Sequence, residues 1–67
     1  MKLCVCKVDL MNNWGVVVFH GGEMCAAFWD GLAWEVYRTT EINGRQYVDA
    51  RDNSHRVTAE MFLDNFE

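Results

Sequence analysis

Four short turn-forming pairs divide most of the chain into strand-length pieces, and this spacing constrains the fold more than any other feature. Glycine and asparagine tolerate the positive φ values that tight hairpin turns require. The pieces between the pairs are rich in Val, Thr, Cys and aromatic residues, which suit a pleated surface. The pairs are Asn12-Asn13, Gly21-Gly22, Asp30-Gly31 and Asn43-Gly44. We therefore predict five antiparallel strands, over about residues 2–11, 14–20, 23–29, 32–42 and 45–50.

The hydrophobic period changes near the C-terminus. Thr58 is a favourable N-cap, and Glu60 falls in the first turn, near the positive end of a helix dipole. The predicted helix covers about residues 58–66 and lays its apolar stripe on the sheet. The residues of that stripe are Ala59, Phe62, Leu63 and Phe66.

The predicted fold class is α+β, with one C-terminal amphipathic helix packed on a five-stranded antiparallel meander that curls, in one version, into a partial SH3-like barrel. If the first two turns are two-residue turns, Phe19 pairs with both Cys6 and Met24. A three-residue loop with Gly31 as a bulge then pairs Phe28 with Trp34. The predicted core face carries Cys4, Cys6, Val8, Leu10, Val17, Phe19, Met24, Ala26 and Phe28, and the opposite face includes His20, Cys25 and Ala27.

Length and composition limit the functional classes. A chain of 67 residues folds as one domain, over residues 1–67. Its longest apolar run is far shorter than the roughly 20 residues that cross a bilayer, and its start lacks the apolar stretch of a signal peptide. Three cysteines are an odd number, which suits reduced thiols better than a set of disulfides. We therefore expect a cytoplasmic protein.

Charge is segregated along the chain. Six basic and ten acidic residues give a net charge of −4, which disfavours general nucleic-acid binding. The predicted helix presents an acidic ridge, whereas the segment before it is rich in arginine, and an ordinary solvated surface remains the alternative interpretation of both. The ridge consists of Glu60, Asp64 and Glu67, and the arginines are Arg38, Arg45, Arg51 and Arg56, interleaved with Glu41, Asp49 and Asp52.

Cysteine and histidine residues provide the main candidates for chemistry. Cys4 and Cys6 lie on one side of a strand, and His20 and Cys25 flank a turn, so these four are candidate zinc ligands. The predicted register places the two pairs on opposite faces, which favours small buried thiols instead. His55 lies in a polar run that predicts an exposed loop. Neither a catalytic arrangement nor a cofactor motif is evident, so we predict neither an enzyme nor a cofactor.

Aromatic residues form the more informative excess. Trp29 follows Phe28 and should point to the opposite side of the sheet, and Trp14 and Tyr37 are expected to be partly covered in such a small domain. Exposed aromatic side chains concentrate at protein interfaces. A second small aromatic cluster inside a curled sheet is the alternative.

One part of the chain resembles a hairpin pattern of small phage and prophage domains of unknown function. The shared elements are an apolar strand, a glycine turn, a second strand ending in aromatic-Asp-Gly, and a tryptophan three residues later. The residues that carry the resemblance are Val16-Val17-Val18-Phe19 and Trp29-Asp30-Gly31-Leu32-Ala33-Trp34. The resemblance implies an origin in a mobile element, whose small proteins often bind and block a host protein.

These features predict a small non-enzymatic protein-interaction module, in the form of a phage-encoded inhibitor that occludes a host nucleic-acid-handling or defence protein. In this hypothesis the acidic ridge meets a basic groove of the host protein, and aromatic side chains anchor the contact. A metal-stabilised module and a small barrel that binds single-stranded nucleic acid are the alternatives, and pairing with a second copy is compatible with each. The predicted partner-binding residues are Glu60, Asp64, Glu67, Trp14, Trp29 and Tyr37.

Overall fold

The computed structural model describes residues 1–49, 51 and 54–67. Ala50, at the end of the fifth predicted strand, and Asp52, among the predicted acidic residues, lie outside these residues. The elements are β1 (Lys2–Val5), β2 (Leu10–Met11), β3 (Val17–Phe19), β4 (Met24–Trp29), β5 (Trp34–Ile42), β6 (Arg45–Val48), β7 (His55–Val57) and α1 (Ala59–Asn65).

The predicted α+β class is confirmed, because an antiparallel sheet carries one short C-terminal helix. The predicted sequential strand order is wrong. One sheet has the order β1-β4-β5-β6, with β7 also paired to β5, and β2 and β3 form a separate two-stranded hairpin. Within the described residues the strands do not close into a barrel.

The first predicted strand breaks in two after Cys6. The Cys6 carbonyl accepts a hydrogen bond from the Gly22 amide at 2.7 Å, and the Cys6 amide donates to the Glu23 carbonyl at 2.9 Å. Asp9 then accepts from the Gly21 amide at 2.8 Å through its side chain. These contacts tie the chain to the Gly21-Gly22 turn, so the residues after Cys6 leave the sheet and form the hairpin. Phe19 consequently pairs with Leu10, not with Cys6 or Met24.

The loop between β2 and β3 is wider than a two-residue turn. The Asn12 side-chain oxygen accepts hydrogen bonds from the amides of Trp14 and Val16, at 2.9 and 3.0 Å. Gly15 completes the loop at a φ of 78°, in the left-handed region that favours glycine. An asparagine side chain that mimics backbone acceptors has therefore enlarged the turn.

The two later turns differ in how well the sequence predicts them. Asn43 and Gly44 both have positive φ, 51° and 80°, and join Ile42 to its partner Arg45 in the predicted two-residue turn. The turn after Trp29 has four residues instead of three, because Trp29 pairs with Trp34. The Asp30 side chain explains the extra turn residue, since its carboxylate accepts hydrogen bonds from the amides of residues 32 and 33, both at 2.9 Å.

The register decides which side chains form the core. Cys4 lies opposite Cys25, so Cys25 and Ala27 point inward, whereas Met24 and Phe28 of the predicted core face point outward. Val8 of that predicted face is exposed because it lies in the segment that leaves the sheet. The core cluster consists of Cys4, Cys6, Leu10, Phe19, Cys25, Ala27, Val36, Val57, Phe62 and Phe66.

The C-terminal helix begins at the predicted cap. The Thr58 hydroxyl accepts a hydrogen bond from the Met61 amide at 3.1 Å, and Phe62 is buried against the sheet. Leu63 is 73% exposed, so only part of the predicted stripe is covered. Glu67 lies beyond the helix and beside β1, where its backbone exchanges hydrogen bonds with Val5 at 2.9 and 3.1 Å.

Candidate interaction surface

An apolar groove opens between α1 and the edge of the sheet. We call it the aromatic groove; it has a volume of about 480 Å³. Trp29 is half exposed there, because its pairing with Trp34 places both indoles on the side of the sheet that faces the helix. The lining residues are Lys2, Trp29, Trp34, Ala59, Phe62 and Leu63.

Stacked rings form the floor of the aromatic groove. The Trp34 and Phe62 rings are nearly parallel, with centroids 4.3 Å apart, and the Trp29 ring lies 5.4 Å from that of Trp34. The Lys2 ammonium lies 5.8 Å from the Phe62 ring centroid, within cation–π range. Because packing fixes these rings, the groove is a preformed apolar surface that needs little ordering on binding.

A second hollow lies on the other side of α1, with a volume of about 230 Å³. Trp14, in the loop between β2 and β3, is 85% exposed there. Met61 contributes the helix side of this hollow, which we call the Trp14 hollow. Its lining residues are Leu10, Met11, Asn12, Asn13, Trp14, Val18, His55, Arg56 and Met61.

Two carboxylates occupy the exposed side of α1. Successive helix residues are about 100° apart, so Glu60 and Asp64 fall between Leu63, at the aromatic groove, and Met61, at the Trp14 hollow. No basic residue lies in the last turn of the helix. Lys7 reaches the end of the helix and donates to the Leu63 carbonyl at 3.3 Å.

The predicted partner-binding residues therefore separate into three places. Glu60, Asp64, Trp14 and Trp29 lie on or beside α1. Glu67 lies next to β1 and not on the helix. Tyr37 is on the opposite face of the sheet, half-buried against Phe28, with ring centroids 5.6 Å apart. Leu63 and Met61 were not among the predicted contact residues. The predicted apolar stripe of the helix could have indicated Leu63, since a short helix does not bury every residue of its stripe and the uncovered ones are available for contact.

Among the described residues, three of the four arginines that precede the helix form ion pairs with carboxylates of the chain. Arg38 is also half-buried. Its guanidinium lies 5.1 Å from the Phe19 ring centroid and donates a hydrogen bond to the Val18 carbonyl. Arg45 is exposed in β6. The pairs are Arg38–Glu23, Arg51–Asp49 and Arg56–Asp30. These carboxylates offset much of the positive charge that a groove for nucleic acid would use.

The three cysteines meet in the core, contrary to the predicted register, which separated Cys25 from Cys4 and Cys6. Burial raises the pKa of all three thiols, and for Cys25 the value rises to about 12. Their sulfurs donate to backbone carbonyls, as Cys6 does to Val8 at 2.9 Å. Metal ligation needs thiolates, so this environment suits apolar packing. Among residues 1–49, 51 and 54–67, no group of three or more His, Cys, Asp and Glu side chains could hold a metal ion.

The two histidines lie apart from this cluster. His20 is exposed, with its Nδ1 4.0 Å from a Glu23 carboxylate oxygen. His55 is not in an exposed loop as predicted; it lies in β7, half-buried, with its ring edge-on to Phe19 at a centroid distance of 5.2 Å. The polar residues around it hid this short strand, because pairing with β5 and contact with Phe19 determine its position.

No protein-family model, curated protein or solved structure matches the chain. The resemblance to phage domains therefore stays a prediction. In the part of the chain that the structure describes, no helix is long and apolar enough to span a membrane.

Proposed function

We propose that this chain is a non-enzymatic protein-interaction module that uses the surface of α1 to bind a protein with a basic surface. The supporting observation is the position of Glu60 and Asp64, which lie between the apolar aromatic groove and the mixed polar and apolar Trp14 hollow, each with an exposed tryptophan. Exposed aromatic side chains commonly anchor specific interfaces, and charged groups beside them help to select the partner.

Each part of this surface has a distinct role in the proposal. Trp29 and Leu63 provide apolar contact area, while the two helix carboxylates select a basic partner and speed its association. The net charge of −4 adds long-range attraction to such a partner. In the form that the phage resemblance suggests, the partner is a host nucleic-acid-handling or defence protein of the cytoplasm, and binding occludes its basic groove.

The experiment begins with affinity capture from nuclease-treated bacterial lysate, with washes at low and high salt and identification of bound proteins by mass spectrometry. The captured partner is then purified and titrated with the wild type and with the Glu60→Lys/Asp64→Lys variant. We expect the charge reversal to weaken binding at least about tenfold.

A matched control keeps the same change in charge away from the helix. Glu35 and Glu41 lie in β5, outside both hollows. The Glu35→Lys/Glu41→Lys variant should therefore bind the partner within about twofold of the wild-type affinity. Unchanged binding by the helix variant, or an equal loss with the β5 control, would contradict the proposal.

A further inference from the structure

Two cysteines lie directly opposite each other on neighbouring strands of the main sheet, which contains β1, β4, β5, β6 and β7. Cys4 of β1 is the cross-strand partner of Cys25 of β4, and both side chains are buried in the core. They are 21 positions apart in the chain, so the pairing of β1 with β4 brings them together. The Cys4 sulfur lies 3.7 Å from the Cys25 carbonyl oxygen, and both residues are free thiols in this structure.

The geometry of the sheet fits a disulfide between these two residues. Directly opposite residues of an antiparallel pair have Cα atoms about 4.5–5.5 Å apart. A disulfide usually spans Cα separations of about 4.4–6.8 Å, provided that the two Cβ atoms do not point apart. The register of β1 and β4 meets both conditions, so a bond between the two sulfurs needs rotation of the side chains and little movement of the backbone.

The third cysteine is less well placed to bond with either of these two. The Cys6 amide donates to the Glu23 carbonyl at 2.9 Å, which places Cys6 opposite Glu23 and makes Cys25 its diagonal neighbour. Diagonal neighbours lie about 7–8 Å apart, beyond the usual span of a disulfide. Cys4 and Cys6 are separated by two residue steps of extended chain, about 6.4–6.8 Å, at the upper limit of that span. The register therefore favours the pair Cys4 and Cys25.

We propose that Cys4 and Cys25 are a redox-sensitive pair that an oxidant of the peroxide class converts into a cross-strand disulfide. With hydrogen peroxide, the sulfur of one thiolate attacks an oxygen and the O–O bond breaks, which leaves a sulfenic acid and a hydroxide that takes up the thiol proton. The second sulfur then forms the S–S bond, and the sulfenic hydroxyl leaves with the second thiol proton as water. Two thiols and one hydrogen peroxide thus give one disulfide and two water molecules.

Burial determines when this reaction takes place. Cys4 and Cys25 are 2% and 0% exposed, and burial raises the pKa of both thiols, so the closed fold keeps them protonated and away from the oxidant. β1 is the first strand in the order of the main sheet, so its local opening exposes both thiols without unfolding the whole domain. Closure in the same register returns the sulfenic acid to the second thiol. Neither cysteine lines the aromatic groove or the Trp14 hollow, so the inference does not depend on the proposed function.

Treatment of the purified, fully reduced chain with hydrogen peroxide tests this inference. We expect one intramolecular disulfide per chain, seen as the loss of two hydrogen atoms from the intact mass and as a single thiol that remains for alkylation in denaturant. Trypsin cleaves after Lys7 and Arg38, so residues 3–7 should be found joined to residues 8–38. The oxidised chain should keep its circular dichroism spectrum and unfold at a higher urea concentration, because the cross-link constrains the unfolded chain.

Matched single variants identify which cysteines react. Cys6→Ala keeps both members of the pair and should form the disulfide within about twofold of the wild-type rate. Cys4→Ala leaves Cys6 and Cys25 and should form a disulfide at least about tenfold more slowly. Circular dichroism checks that each variant is folded, and Cys4→Val replaces Cys4→Ala if that variant loses its structure. Wild-type thiols that stay reduced or link separate chains, or a Cys4→Ala variant that closes a disulfide as fast as Cys6→Ala, would overturn the inference.

Discussion

The two faces of the main sheet are built from alternate residues of the same strands, yet only one is covered. The inner face contains Cys4, Cys25 and Val36, all buried beneath Phe19 and Phe62. The opposite side of the sheet, which we call the outer face, also carries many apolar side chains beside the charged Glu35, and no strand or helix of the described residues lies over it. Its apolar residues are Leu3, Val5, Met24, Ala26, Phe28 and Tyr37. An apolar face is therefore not by itself evidence of a core. The hairpin and α1 bury the inner face, and within residues 1–49, 51 and 54–67 both pack on that side of the sheet.

The largest expected effect comes from removing the ring at the centre of the inner face. Phe19 is fully buried, with the rings of His55 and Phe66 edge-on at centroid distances of 5.2 and 5.9 Å. Phe19→Ala should lower the free energy of unfolding by about 3–5 kcal/mol, because it leaves a cavity. Denaturant unfolding measures this. Phe28→Ala on the half-buried outer face should cost about 1–2 kcal/mol, and equal losses would remove the distinction between the faces.

An intermediate effect is expected from the alkaline titration of the inner face. Burial raises the pKa of Cys25 from 9.0 to about 12, so the folded state disfavours the thiolate. Below pH 9 the thiol is protonated in both the folded and the unfolded state, so the free energy of unfolding keeps its full value. As the pH rises from 9 toward about 12, the unfolded chain ionises first, and the free energy of unfolding should fall. Unfolding measured across this range should therefore show a weaker alkaline loss for Cys25→Ala than for the wild type. Identical pH dependence in the two proteins would show that Cys25 does not contribute.

The smallest effect is expected on the outer face of the isolated chain. Met24→Thr replaces a partly exposed side chain with one suited to a strand, so it should change the free energy of unfolding by no more than about 0.5 kcal/mol in dilute solution. Ala27→Thr, at a buried inward position of the same strand, should cost about 1–3 kcal/mol through overpacking. A large loss for Met24→Thr would mean that the outer face is covered within one chain.

The errors in the predicted register arise from the apolar character of both faces of the sheet. The predicted register assigned Met24 and Phe28 to the core and excluded Cys25, which is the reverse of the observed arrangement. Since both faces of β4 are apolar, periodicity alone does not distinguish them. Trp29 was accordingly expected opposite the core, whereas it lies on the helix side and lines the aromatic groove.

The candidate surface was predictable only in part. The acidic positions Glu60 and Asp64 follow from helical spacing, and the structure places both on the exposed side of α1. Their neighbours Trp14 and Trp29 come from distant loops and strands, so their positions on either side of the helix depend on how the hairpin and the sheet pack. Glu67 left the predicted ridge because its backbone pairs with Val5.

The sequence by itself determined the features that neighbouring residues control. Asn43-Gly44 forms its turn because both residues tolerate positive φ, and Thr58 caps α1 through a hydroxyl only three residues from the amide that it accepts from. The tertiary structure decided that β1 pairs with β4 and that the hairpin and helix cover one face of the sheet. Such pairings join residues far apart in the chain, and where both faces of the strands are apolar, only the packing of the whole domain selects between them.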